Sequence, residues 1–312
     1  MNRISPIPSI RGIQGMRPFK MASPYPLKGL QGSTSNQPLN IVRWYGGKYF
    51  QMPGLLKYIS RLAYLTQATS FIDCFGGSGK VSLNVKQQIK QFNSIIYNDL
   101  DYGMCCLMAT TADNNAKAEM LEHLSKMEVT PETFKDCKKH REDKTLDRIQ
   151  IAAMNYFLCQ TSYNASTDSF KKNLDIAAYQ SGLKRLREMQ APMEGILVTN
   201  DDYRTLFNKY GKDTKVLKYL DPPYHPCTRA TAEVYNHEMT QAQHKELVEL
   251  LCNSRCWILS GLDPMKYGCD DYKALEDTGA EKVSLGVYHL PSSNRTGQKS
   301  LTYKEEFLWI RA

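Results

Sequence analysis

Asp221-Pro222-Pro223-Tyr224 brings a carboxylate, backbone carbonyls and an aromatic ring together within four residues. A carboxylate beside a free carbonyl can accept both hydrogens of a planar amine, and a ring face can stack on the heterocycle that carries it. The prolines donate nothing to a sheet ladder, and the second forces the first into extended backbone. The apolar run Val216–Leu220 just before them reads as a buried strand. The motif is therefore a stiff polar rim at the carboxyl end of a strand, where open α/β sheets place ligands. A loop needed only to turn the chain would favour Gly, Asn or Ser.

Three other stretches carry chemistry. Trp44, Gly46, Gly47 and Lys48 offer an aromatic wall, close backbone approach and a point charge for a carboxylate or phosphate. The run Phe71-Ile72-Asp73-Cys74 enters a loop, Phe75-Gly76-Gly77-Ser78-Gly79-Lys80, and then a helix over Val81–Ile89. This is the opening βα turn of a nucleotide-type site, with helix N-terminal amides facing the ligand. It is neither a P-loop, since Cys74 and Val81 stand where Gly and Ser/Thr are needed, nor a dinucleotide fingerprint, since residue 82 is Ser. A second apolar run, Ser94–Asn98, ends in Asp99, which is placed to accept hydrogen bonds from ribose hydroxyls.

Strands and helices alternate around these loops. A helix is expected over Leu55–Leu65, strands over Gly195–Thr199 and Val216–Leu220, and a capping-box helix from Thr240 to Cys252. The last strands read as Cys256–Ser260, Lys282–Tyr288 and Glu306–Ile310, with a polar loop, Ser292–Lys299, suited to a phosphate backbone or to a plain hairpin. Residues 105–190 interrupt this alternation. Met104–Met127 and Asp147–Tyr163 read as helices around a charged stretch, Lys135–Arg148, so the segment is expected to be an inserted domain. Its basic clusters at Lys138/Lys139/Arg141, Lys171/Lys172 and Lys184/Arg185/Arg187, and its polar run Gln160–Asn164, are candidate nucleic-acid contacts or a solvated face.

The chain has 312 residues, 42% apolar and 23% charged, an ordinary globular balance. Its net charge of +8 lies in the first 72 residues, which hold nine Lys/Arg and no acid. That basic arm suits a polyanion. Residues 1–39, rich in Pro, Gly, Ser and Gln, are expected to be a disordered basic tail. No apolar run nears the ~20 residues of a membrane span, and the start has no signal-peptide core. With nine cysteines, an odd number, reduced thiols and a cytoplasmic setting are expected rather than a disulfide framework. Cys252/Cys256 and Cys137/His140 each lack a second pair at zinc-finger spacing, so no metal is expected.

In order, Trp-x-Gly-Gly-Lys, Phe-x-Gly-x-Gly, an acid after the second strand, a helical insert, Asn200-Asp201-Asp202-Tyr203 and Asp-Pro-Pro-Tyr resemble the Dam-like class of adenine-specific DNA methyltransferases, from about Arg43 onward. The resemblance implies an S-adenosylmethionine-dependent methyltransferase fold: a Rossmann-like mixed sheet with a mainly helical target-recognition domain inserted. Residues 40–104 and 191–312 would be the catalytic domain and 105–190 the insert. It places Trp44, Gly46, Gly47, Lys48, Asp73, Phe75, Gly77, Gly79, Asp99, Asp201, Asp202 and Asp221 in the cofactor site, with Asp202 before Asp201 as the acid near the cofactor adenine. It makes Asp221, Pro222, Pro223 and Tyr224 catalytic. Double-stranded DNA is the implied partner, and a restriction endonuclease is a companion such enzymes can have; the oligomeric state is not implied. Two departures stand out. Cys74 replaces a common Pro, and the segment after Tyr163-Asn164 is short and acidic where the family often has an Arg-rich hairpin.

The implied chemistry follows physically. An adenine amine is conjugated and weakly nucleophilic; the Asp221 carboxylate and the Pro222 carbonyl can hold its hydrogens while it attacks a sulfonium methyl in line. Tyr224 would stack on the base, which must leave the duplex to arrive there. Cytosine-N4 or RNA methylation, or an inactive S-adenosylmethionine or DNA binder, would fit the same architecture.

Overall fold

The computed structural model describes residues 38–44, 47–229, 237–293 and 299–312, with backbone alone at 288–293 and 299–303. Residues 1–37 of the expected tail, Gly46 and the centre of the 292–299 loop lie outside the described residues; Leu39, expected in the tail, exchanges hydrogen bonds with Asn84 and packs on the core.

Seven strands form the sheet: β1 Ser70–Asp73, β2 Ser94–Asn98, β3 Ile196–Thr199, β4 Val216–Leu220, β5 Trp257–Leu262, β6 Glu281–Ser293 and β7 Lys299–Arg311. Their order is β3-β2-β1-β4-β5-β7-β6. β1 to β5 are parallel, and β7 runs antiparallel to both β5 and β6. This is the Rossmann-like mixed α/β sheet that the sequence resemblance implies. The chain travels outward from β1 to β3, then returns to start β4 on the other side of β1. The switch point thus falls between β1 and β4, where a crevice opens at the carboxyl ends of parallel strands.

Successive side chains of a strand point to opposite faces, and the core records it. Phe71, Ile95, Leu217, Tyr219 and Ile258 join one apolar cluster, while Ile72, Ile96, Val216, Leu220, Trp257 and Leu259 join another. On the first side lie α1 Met52–Thr66, α2 Lys80–Gln88 and α3 Tyr102–Thr110; α6 Arg148–Thr161 packs on α3, α4 Asn114–Lys126 and α5 Pro131–His140 pack on α6, and α7 Ile176–Glu188 packs on α4, all in one continuous apolar cluster. The second is covered by α8 Tyr203–Tyr210, α9 Gln241–Cys252 and α10 Lys273–Asp277. Lys218 is the exception inside a buried strand. Its ammonium reaches the carbonyls of Tyr210 and Asp213 at 2.9 Å, just past the end of α8, so the charge is solvated by backbone.

Local chemistry explains where the elements depart from expectation. The Met104–Met127 run is two helices, because Asp113 accepts from the amides of Asn115 and Ala116 and starts α4 afresh. The charged stretch hides α5, whose buried face is only Phe134 and Cys137; Thr130 caps it and Pro131 opens it. The capping box at Thr240 and Gln243 forms as expected. β6 and β7 run well past the expected spans because they pair with each other as a long ribbon, which needs no buried alternation; a bulge interrupts the ladder at Ser284/Gly286. Between β2 and β3, the single β-bridge among the described residues is Ser162–Phe170.

Candidate active site

Four segments far apart in sequence meet at the end of β4. Lys48, from the loop before α1, places its Nζ 2.6 Å from Asp221 Oδ1 and 3.2 Å from Glu306 Oε1 of β7. The Tyr224 hydroxyl donates to Glu306 Oε2 at 2.9 Å, accepts from Lys48 at 3.2 Å, and its ring lies 5.2 Å from the same ammonium. Ser260 Oγ of β5 donates to Glu306 Oε1 at 3.1 Å. The Lys48 and Glu306 side chains are buried, at 2% and 5% exposure, and Asp221 keeps 18%. A buried ammonium needs such partners. Burial disfavours the Lys48 charge, but Asp221 and Glu306 outweigh it and hold its pKa well above the usual lysine range. Asp221 is pushed up to about 6, by burial first; Lys48 opposes the rise and Glu306 adds to it. Two carboxylates thus face one ammonium, leaving the site formally one negative charge in excess.

The glycine loop is built by local backbone bonds. Asp73, at the end of β1, accepts from the amide and hydroxyl of Ser82 and so anchors the first turn of α2. The Gly76 amide donates to Asn98 O at 2.7 Å, and the Tyr97 hydroxyl to Gly77 O at 2.7 Å. Gly77 has φ +48°, and a Cβ there would stand 2.9 Å from Trp44 Nε1. Its amide donates to Asp99 Oδ2 at 2.7 Å, while Asp101 N donates to Asp99 Oδ1 at 2.8 Å. Burial, then Asp101, raise the Asp99 carboxyl to about 6.

Two adjoining cavities open here. The larger is walled by Asp99, Asp201, Asp202, Tyr203, Pro223 and the 237–239 segment; the smaller by Gly47, Lys48, Gly76, Ser78 and Lys80. Trp44, Phe75, Gly77 and Asp221 line both. Lys80 is drawn down to about 8, by burial and then by Lys48. Asp202 caps α8 and pairs with Arg204 at 2.7 Å, whereas Asp201 is exposed.

Most of the expected residues therefore converge. Lys48 does so in an unexpected way, as the counter-ion of Asp221. Asp73 and Gly79 line neither cavity: Asp73 is buried behind α2, and Gly79 starts that helix facing Met108. Pro222 and Tyr224 also stand outside both, Pro222 buried and Tyr224 tied into the charged cluster. Glu306 was missed because an acid opening a strand reads as a solvated end; an inward-facing acid on a buried strand was the available signal. Arg204, Lys80 and His237 were missed too, and nothing in their spacing marks them.

The segment 105–190 uses some of its basic residues internally. Arg141 pairs with buried Asp101 and bonds Thr167, and Lys138 pairs with Asp168. Gln160, Thr161 and Ser162 are buried, which leaves Tyr163 and Asn164 exposed, together with Lys172, Lys184, Arg185 and Arg187. Among the described residues the pairs Cys137/His140 and Cys252/Cys256 gather no further ligands, and the nine thiols are free. Among the described residues no helix is long and apolar enough to cross a membrane.

The glycine cradle that leaves no room for a Cβ, the acids of the larger cavity and the amides opening α2 fit a nucleoside carrying an amino-acid tail. Residues 44–257 match the family model described as D12 class N6 adenine-specific DNA methyltransferase. A Haemophilus influenzae protein provisionally named a methyltransferase is 26% identical over 199 residues, 58% of this chain and 60% of that relative's length. Two solved structures are similar in outline. A precorrin-6y C5,15-methyltransferase from Geobacter metallireducens has a TM-score of 0.34 at 6% identity, covering 83% of this chain and 88% of its own. The rRNA methyltransferase aviRa from Streptomyces viridochromogenes has a TM-score of 0.30 at 12% identity, covering 82% and 84%. Superpositions this loose carry no weight for mechanism.

Proposed function

The chain belongs to the D12 class of N6 adenine-specific DNA methyltransferases, and on that premise we propose that it transfers a methyl group from S-adenosylmethionine to the N6 amine of adenine in double-stranded DNA. The observation that carries this reading is the position of Asp221, on the wall common to two cavities at the switch point of the sheet.

When bound, S-adenosylmethionine supplies an electrophilic methyl on sulfur. Its nucleoside half suits the larger cavity, where Asp99 and Asp202 can accept from hydroxyl or amine groups and Phe75 and Tyr203 offer rings 5.4 Å apart. Its carboxylate suits the smaller cavity, against Lys80 and the amides that open α2. Trp44 and Gly77, lining both, would carry the junction. Asp221 accepts from the adenine amine and orients its lone pair toward the methyl. The nitrogen gains positive charge as it attacks. The uncompensated negative charge of the Asp221–Lys48–Glu306 group stabilises that change in a poorly solvated site. Lys48 and Glu306 act by holding Asp221 and Tyr224 in place.

Adenine reaches this crevice only outside the stack, so base flipping belongs to the proposal. Residues 40–104 and 191–312 are proposed as the catalytic part and 105–190 as the recognition part. Exposed Tyr163, Asn164, Lys172 and the α7 cations Lys184, Arg185 and Arg187 are the groups offered to DNA.

The test is incubation with methyl-labelled S-adenosylmethionine and duplex DNA, followed by nucleoside digestion and mass spectrometry. N6-methyladenine that disappears with Asp221→Ala is expected. N4-methylcytosine alone, or label only in RNA, rejects the adenine assignment. Binding of both substrates without transfer rejects the catalytic one.

A further inference from the structure

Immediately after the catalytic motif the chain makes a short turn, Pro226–Thr228, and β5 is followed by another, Pro264–Tyr267. Their neighbours bring together His225, Cys227 and Cys269, one ligand atom of each lying within 4.8 Å of the others. The residues belong to none of the pairs that sequence spacing suggested for a metal, because 42 residues separate the two cysteines.

Three observations go beyond proximity. His225 is buried, at 2% exposure, and its Nε2 is 2.9 Å from Asp271 Oδ2. A carboxylate in contact with one ring nitrogen makes that nitrogen the donor, so the lone pair sits on Nδ1. Nδ1 is 3.0 Å from Cys227 Sγ, on the side away from Asp271, and in this structure it faces the Cys227 amide at 3.3 Å. Asp271 is itself held, by Gln241 at 2.9 Å, so the orienting carboxylate is fixed from α9.

We propose that His225 Nδ1, Cys227 Sγ and Cys269 Sγ form a binding site for a single zinc-type divalent cation, with Asp271 orienting the histidine. Zinc bonds of about 2.0 Å to nitrogen and 2.3 Å to sulfur place tetrahedral ligand atoms roughly 3.5–3.8 Å apart. Cys227 Sγ lies 3.0 Å from His225 Nδ1, whereas Cys269 Sγ lies 3.9 Å from Nε2 of the same ring, so binding through Nδ1 needs the Cys269 side chain to turn toward Cys227. Two thiolates and an imidazole select zinc over magnesium or calcium. The three protein ligands leave the fourth tetrahedral position to a water. None of these residues lines the cavities at Asp221, so the ion would take no part in the methyl transfer. It would clamp the rim that follows Tyr224 to the loop that follows β5. The site stands whether or not the methyl-transfer reading holds.

The test uses the full chain, purified with reduced thiols, stripped with a chelator and titrated with Zn²⁺ and with Co²⁺. About one ion per chain is expected, with a rise in Tm and a thiolate-to-cobalt charge-transfer band. That band should fall by about half in Cys227→Ser or Cys269→Ser and vanish in the double variant, while Cys252→Ser keeps it. Asp271→Asn should keep the band but weaken the metal by ~10-fold or more. Absence of a thiolate band in the wild-type Co²⁺ spectrum overturns the proposal without recourse to any variant. So does an unchanged band in the folded double variant, or a Cys227–Cys269 disulfide in the protein as isolated from cells.

Discussion

The two halves of the crevice are made by different means. On the glycine-loop side, Gly77, Asp99 and Asp101 lie within 25 positions of one another and are joined mainly by backbone amides. On the Asp221 side, Lys48, Asp221, Tyr224 and Glu306 come from positions up to 258 residues apart and are joined through side-chain charges. The first half depends on the glycine and on the one Asp99 carboxylate that accepts both amides. A charge-built half depends on every member, because removing one leaves another buried and unpaired. Binding should therefore fail through the first half and turnover through the second.

Asp221→Ala tests this most severely. Methyl transfer should fall by ~10³-fold or more, measured in single turnover, as the acceptor for the amine is lost and Lys48 is left facing Glu306 alone. Comparable transfer by the variant would remove the division between the halves. Glu306→Gln should cost less, ~10–10² in kcat. It also carries a pH signature. The ionised form of Asp221 is the acceptor, so kcat/KM should fall below about pH 6, where that raised carboxyl protonates. Glu306 is one cause of the rise, so Glu306→Gln should move this acid limb to lower pH. A limb that stays put would show that Glu306 does not act through Asp221.

Gly77→Ala sharpens the other half. The left-handed backbone and the close Trp44 indole leave no room for the methyl, so S-adenosylmethionine affinity measured by calorimetry should weaken ~10-fold. A change in kcat with unaltered affinity would contradict the assignment of this loop to binding.

Asp73→Asn should give the smallest effect, on stability. Burial pushes the Asp73 carboxyl up to about 7, above its unfolded value near 4. The folded chain then holds this proton more tightly than the unfolded one, so ionisation costs stability as pH rises from about 4 to 7. The neutral amide escapes that cost. The Tm difference favouring Asp73→Asn should be a few degrees at pH 8 and shrink toward pH 4. A difference that grows as pH falls would reverse the sign of this account.

Much of the fold was legible because it is periodic. The apolar runs of β1, β2, β4 and β5, buried on both faces, and the capping box at Thr240 are local patterns that tertiary contacts reinforce. The helical segment between β2 and β3 was less legible. Its helix starts depend on single capping acids such as Asp113, and α5 offers only two buried residues to read. The long β6–β7 ribbon was underestimated because strands paired mainly with each other need no buried face. In the site, the residues of the loops were recognisable by type and order, but their partners were not.

The sequence by itself determined the ends of the parallel strands, the glycine loop and the acid–proline–proline–aromatic rim, since each is a short-range consequence of backbone sterics and hydrophobic period. Only the tertiary structure decided that Lys48 neutralises Asp221, that Glu306 joins them across the sheet, and that His225 and Cys227 meet Cys269. Those pairings carry no local signal: the attraction between buried charges or between metal-ligating atoms depends on distance in space, which separation along the chain does not encode.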